Sequence, residues 1–212
     1  PITMVYPTTR YYLKLFERKN LTSFVITGTK GKTLVSLLLS HLLSDSFSRN
    51  ILIDTTGVYD DGVMVSTGKE SKKNFSFTPS VMPGRYLYNL FQNESKKSRV
   101  AAVLESSLSC GVYGTGLKQH DVGILTNIYE DHIDNKLIRD REDLYELKAF
   151  VFREIKIGGK FITSLDDQLT LKSLSEPVLK QKKIMKIGTT LKKLSLNEHQ
   201  KIKRKYDLYD IY

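Results

Sequence analysis

Short apolar runs and amphipathic stretches alternate along most of this chain. "SFVIT" (23–27) is β-branched and apolar, which predicts a buried strand, and "KTLVSLLLSHLLSDS" (32–46) then keeps Leu or Val at helical spacing. Ser36, Ser40 and Ser44 fall four apart, on one side of that helix. Further strands are predicted at "NILIDTT" (50–56), "RVAAVLE" (99–105), "DVGILTN" (121–127), "KFITS" (160–164) and "KIMKIG" (183–188). Helices are predicted at "GRYLYNLFQNE" (84–94) and "REDLYELKAFVFREI" (141–155). Near-continuous apolar strands between amphipathic helices imply an α/β fold: three layers, a mostly parallel sheet with helices on both faces. Right-handed crossovers then bring every strand's C-terminal end to one edge, where ligands bind. The polar motifs described next each follow such a strand directly.

Composition narrows the class. With 212 residues, 40% hydrophobic and 26% charged, the chain reads as an ordinary globular protein, and no apolar run approaches the ~18 residues of a transmembrane helix. A single cysteine, Cys110, excludes an internal disulfide framework and a clustered-cysteine zinc site, and it fits a reducing, cytoplasmic setting. The net charge of +10 is unevenly spread: residues 176–212 hold ten Lys/Arg against four acids. A basic C-terminal tail (191–212) of that kind can bind polyanions, and Tyr206, Tyr209 and Tyr212 could stack on bases. Lysines solvating a surface, and tyrosines docking a short helix, explain the same residues without nucleic acid. The remaining divisions are an N-terminal helical lead-in (1–20) and a central domain (21–190).

"TGTKGKT" (27–33), between a buried strand and a leucine-rich helix, has the chemistry of a phosphate-binding loop, a P-loop; the alternative is a glycine turn with surface lysines. Glycine permits the tight curl, and backbone N–H groups at a helix N-terminus point at an anion. Lys32 would neutralise outer phosphates and the Thr33 hydroxyl would ligate magnesium. The spacing is shorter than the common form, because Gly28 precedes Gly31 by only three residues. Glu105 ends the strand "VAAVLE", where a buried carboxylate is costly unless it meets a cation; a magnesium ion shared with Thr33 would supply one, and solvent at a strand end would serve as well.

"GTKGKT" resembles the "GTNGKT" loop of the Mur ligase family, with Lys30 where that family often has asparagine. "TNIYEDHID" (126–134) resembles the family's TNI-x-x-DH-L-D signature. "DTTGVYDDGVMVSTG" (54–68), "LESSLSCGVYGTGLKQHDVGILTNI" (104–128) and "EDLYELKAFVFREIKIGGKFITSLDD" (142–167) are similar to segments of the cyanophycin synthetases of that family. The similarity spans roughly 22–190 and departs at Leu108–Cys110, which lack an arginine–glycine–glycine, and at Ser164–Leu165, which replace asparagine–alanine.

The resemblance implies an ATP- and Mg2+-dependent carboxylate–amine ligase that forms an amide through an acyl phosphate on an amino-acid or peptide substrate. It implies a nucleotide site of Gly28, Thr29, Lys30, Gly31, Lys32, Thr33 and Asn127. It also implies catalytic Lys32, Glu105, His132 and Lys148, with metal held by Thr33, Glu105, His132 and a carbamylated Lys148. A partly desolvated lysine offers the neutral amine that adds CO2. Mur ligases carry a further C-terminal domain, whose histidine–asparagine entry signature "NEHQKIKRKYDLYDIY" (197–212) does not match. The expectation is therefore a fragment or shortened form, with a partner chain to supply that domain; the alternative is a nucleotide-binding regulatory subunit. Thr55, Thr56 and Gly57 are candidates to line an acceptor pocket, Cys110 reads as structural, and His120, ahead of its strand, as exposed.

Overall fold

The structure, a computed structural model, describes residues 20–67, 78–91, 99–130 and 138–188. The lead-in before residue 20, His132 and the 191–212 tail lie outside the described residues. Among the described residues eight strands form one sheet: β1 (Leu21–Thr27), β2 (Arg49–Ile53), β3 (Val58–Asp60), β4 (Val63–Ser66), β5 (Val100–Glu105), β6 (His120–Leu125), β7 (Ile155–Ser164) and β8 (Lys183–Ile187). Their spatial order is β4-β3-β2-β5-β1-β6-β7-β8. All neighbours are parallel except β2/β3 and β3/β4. Most of β1, β2 and β5 is buried, as expected of strands covered on both faces.

The helices are α1 (Lys32–Leu43), α2 (Pro83–Phe91), α3 (Ser109–Tyr113), α4 (Arg141–Lys148), α5 (Phe150–Arg153) and α6 (Gln168–Ser173). One core lies between the sheet and α2–α6, with Leu87, Cys110, Leu144, Val151, Phe152 and Leu169 packed on Val25, Ile53, Leu104 and Phe161. A smaller core on the opposite face joins Ile26, Leu52, Val103, Val122 and Ile124 to Val35, Leu39 and Leu43 of α1. The layers match the predicted three-layer α/β class.

Several boundaries differ from the sequence reading, each for a local reason. β2 stops at Ile53 because residues 54–57 close a turn, with Asp54 N–H donating to the Gly57 carbonyl. The β3–β4 hairpin adds an antiparallel margin to the expected parallel sheet. Its loop is Asp61-Gly62, with φ of 48° and 82°, the left-handed pair that a two-residue hairpin turn demands. The predicted helix over 141–155 divides at Ala149, and β7 begins at Ile155 rather than Lys160, accommodated by a bulge opposite His120–Val122. The serine stripe of α1 is only partly exposed: Ser36 is fully buried and its hydroxyl donates to Lys32 O, Ser40 is half-buried and Ser44 exposed, while Leu34, Leu37, Leu38 and Leu42 are exposed. β8 is exposed along its whole length, so the covering of both faces fails at that edge.

His120 corrects the expectation of an exposed residue. It is wholly buried at the start of β6, with Nε2 at 2.8 Å from the Val151 carbonyl, and burial pushes its pKa down to about 4.

Candidate functional site

The parallel register brings the ends of three central strands into line: Ile26 pairs with Glu105, and Thr27 with Leu125. The loop between β1 and α1 rises from that edge. Gly28 sits at φ 146° against Thr126, where an added Cβ would lie 1.9 Å from Thr126 Oγ1, so no larger residue fits. Gly31, at φ 77°, immediately precedes α1, and no side chain caps that helix. The N–H groups of the first turn therefore remain for an anion.

Residues after β6 hold this loop in shape. Asn127 Nδ2 donates to Lys30 O (3.1 Å), and Lys30 N–H donates to Asn127 Oδ1 (2.8 Å). Thr29 N–H donates to Asn127 O, Tyr129 N–H donates to Thr29 Oγ1, and the Thr126 hydroxyl donates to Lys30 O. Asn127 thus acts on the loop backbone, whereas the Lys30 side chain is not what secures it. Behind this, Asp167 accepts from Ile128 N–H (2.7 Å) and pairs with Arg141 (2.8 Å), and Arg141 also donates to Ile128 O. The second aspartate of "SLDD" was read only as part of a similar segment; its signal was an aspartate directly before a helix, which it caps by accepting from Leu169 N–H.

Glu105 is 2% exposed and meets three donors. Its Oε2 accepts from the Thr33 hydroxyl (2.9 Å) and from Thr55 N–H (3.2 Å), and its Oε1 accepts from the Thr55 hydroxyl (2.9 Å). Thr33 and Glu105 are therefore brought together as expected. Lys148, 4% exposed, reaches across from α4 and donates to Gly28 O at 2.9 Å. Lys32 Nζ donates to Thr29 O at 3.2 Å, folded back onto its own loop. Gly28, Thr29, Lys32, Glu105 and Lys148 line one cleft of about 180 Å3, together with Thr55, Thr78, Ser80, Ser107, Leu108 and Leu144. Thr78, Ser80 and Ser107 were not singled out from the sequence, because isolated hydroxyls carry no spacing signal. Thr55 lines the cleft; Thr56 and Gly57 are not among its lining residues.

Cys110 is structural in this setting: its buried thiol donates to Ser80 O at 3.4 Å, and desolvation pushes its pKa up to about 12. Among the described residues no group of three or more His, Cys, Asp or Glu forms a ready metal cluster. The donors at Glu105 are hydroxyls and a carboxylate, hard oxygens that suit magnesium. No described helix is long and apolar enough to cross a membrane.

Comparison with known proteins identifies the family and the fold. A family model for the Mur ligase middle domain matches residues 26–211. The UDP-N-acetylmuramoyl-L-alanyl-D-glutamate--2,6-diaminopimelate ligase of Corynebacterium glutamicum is 31% identical over 152 residues, 70% of this chain and 27% of that protein. Cyanophycin synthetase of Geminocystis herdmanii is 27% identical over 146 residues, 68% of this chain and 15% of that protein. The chain thus spans about a quarter or less of the length of these relatives. Among solved structures, a UDP-N-acetylmuramoyl-L-alanyl-D-glutamate--2,6-diaminopimelate ligase superposes with TM-score 0.60 at 24% identity, covering 88% of this chain and 36% of that one. An FPGS–AMPPCP complex superposes with TM-score 0.62 at 15% identity, covering 86% and 49%; both show the likeness of fold. With 186 residues matched by the family model, phosphate loop included, the chain belongs to the Mur ligase middle domain family.

Proposed function

We propose that this chain is the nucleotide-binding part of an ATP-dependent carboxylate–amine ligase acting on an amino acid or peptide. The observation that carries the reading is the single cleft that joins Gly28, Thr29 and Lys32 to Glu105 and Lys148, with Thr33 on Glu105. A triphosphate fits the loop because Gly31 leaves the first-turn N–H groups of α1 without a side-chain cap. Lys32, released from Thr29 O, balances charge as a substrate carboxylate oxygen attacks the γ-phosphorus and ADP departs. An incoming amine then attacks the acyl carbon, the C–O bond to phosphate breaks, a proton passes from the amine to the departing phosphate, and an amide remains.

Magnesium held by Thr33 and Glu105 would neutralise phosphate oxygens and align them. Lys148 is the candidate for carbamylation, which requires its amine to leave the Gly28 carbonyl; His132 is proposed to complete that side of the site. The hydroxyl-lined wall of Thr55, Thr78 and Ser80 favours a polar acid donor. A cyanophycin-synthetase-like substrate range is the finer proposal, supported by the relative named above.

The test is phosphate release from ATP with paired acid and amine donors, on this chain alone and with a separately expressed Mur-type C-terminal domain. Release that requires both donors supports the ligase. Tight ATP binding with no donor-dependent release in either arrangement supports a regulatory or partner subunit instead. Lys32→Ala should cost about 3 kcal/mol or more of transition-state stabilisation, roughly 100-fold in rate.

A further inference from the structure

Asp54 follows the end of β2 and is fully buried. Its Oδ1 accepts three hydrogen bonds, from Thr56 N–H (2.7 Å), the Thr56 hydroxyl (2.6 Å) and Gly57 N–H (3.1 Å). Its Oδ2 is buried without a hydrogen-bond partner. Ile53 pairs with Leu104, so the next residues along, Asp54 and Glu105, leave the sheet side by side. Two adjacent buried carboxylates raise the energy of the fold unless their placement serves something.

The turn that Asp54 closes presents Thr55, and Thr55 gives its N–H to one Glu105 oxygen and its hydroxyl to the other. That pair of bonds fixes the carboxylate plane of Glu105, and the Thr33 hydroxyl reaches one edge of it. We propose that Asp54 is a positioning residue: by clamping the 54–57 turn it makes Thr55 orient Glu105, and so sets how tightly the site holds a divalent cation. The proposal rests on the metal-dependent reading given above. A group that orients a metal ligand typically changes metal affinity by 10- to 100-fold when removed. A residue that merely closed a turn would lower thermal stability and leave metal affinity alone.

The experiment titrates Mn2+ into the full chain, followed by electron paramagnetic resonance, and records amide exchange at Thr55 in the same variants. Asp54→Ala raises the Mn2+ Kd about 10-fold and speeds Thr55 exchange by about the same factor. Asp54→Asn keeps an acceptor at Oδ1 and stays within about threefold of the parent on both readouts. If Asp54→Ala does not fold, Asp54→Glu, which displaces the acceptor by one methylene, takes its place with the same expectation. A folded Asp54→Ala with unchanged Mn2+ Kd and unchanged Thr55 exchange overturns the proposal, as does an Asp54→Asn variant as impaired as the alanine. Glu105→Gln separates the two levels. If it binds Mn2+ as well as the parent, the metal reading fails, and Thr55 exchange alone then decides whether Asp54 orients Glu105.

Discussion

Glu105 and Glu154 are carboxylates at opposite ends of the same sheet, and they are treated differently. Glu105 closes β5 at the edge that lines the cleft, with three donors on its two oxygens. Glu154 stands just before β7 at the far end; its Oε2 is buried with no hydrogen-bond partner, and burial raises its pKa to about 7. His120 stands beside it, its N–H donating to Glu154 O, with a buried Nδ1 that has no partner and a pKa lowered to about 4. Near neutral pH His120 is therefore uncharged and Glu154 is about half protonated, next to the ion pair of Asp121 with Lys156. The cleft edge instead concentrates donors on the Glu105 carboxylate and on the loop backbone. A buried carboxyl without donors is held towards its neutral form, as Glu154 is, whereas donors set in place, as around Glu105, suit a carboxylate that carries charge.

The sharpest way to break this contrast is at the loop. Gly28→Ala forces a Cβ to within 1.9 Å of Thr126 Oγ1. ATP affinity, measured by titration calorimetry, should fall about 100-fold, roughly 3 kcal/mol, while the circular dichroism of the sheet persists. A wild-type Kd in that variant would mean the loop is not the phosphate site.

The far end answers to pH. Glu154 has a folded pKa near 7, above the 4.5 of a free glutamate, so the folded state binds the extra proton and stability falls as pH rises from 4.5 to 7. His120, near 4 against an ordinary 6.5, has the opposite sign: stability falls as pH drops from 6.5 to 4. The two slopes offset one another between those limits. Glu154→Gln should unmask a rise of about 3 kcal/mol with increasing pH, and His120→Gln a fall of similar size. Urea denaturation at several pH values checks both; parallel curves for all three proteins would contradict the assignment.

A smaller effect is expected at the clamp. Asn127→Ala removes the side-chain bonds to both Lys30 backbone groups. The cost is about 1–2 kcal/mol, seen as roughly 10-fold weaker ATP binding with little change in thermal midpoint. Least of all, Gly62→Ala strains a φ of 82° in the β3–β4 turn and should cost about 1 kcal/mol of stability without touching nucleotide affinity.

The parallel centre of the sheet and the phosphate loop were legible in the sequence because period and punctuation coincide there: "SFVIT", two glycines, then a leucine helix. The β3–β4 hairpin was less so, since "VYDDGVMVS" offers strands of three and four residues that carry little alternation, although Asp61-Gly62 is a recognisable turn. The early start of β7 was hidden by "KIGGK", whose glycines read as a break and instead lie within a strand that carries a bulge. Within the site, Thr33 with Glu105 was readable from two strand ends. Lys148 was located by resemblance, and its contact with Gly28 O joins positions 120 apart, which no local pattern encodes. The hydroxyls of Thr78 and Ser80 and the Asp167–Arg141 pair likewise exist only once the chain is folded. His132 lies outside the described residues.

The central claim is best tested by soaking or co-crystallising the chain with a non-hydrolysable ATP analogue and Mn2+, and reading the anomalous signal of the metal. The account predicts triphosphate density against the 28–33 loop and a manganese peak shared by Thr33 and Glu105. Nucleotide bound elsewhere with that loop empty, or manganese absent from Glu105 while the triphosphate is ordered, would contradict it.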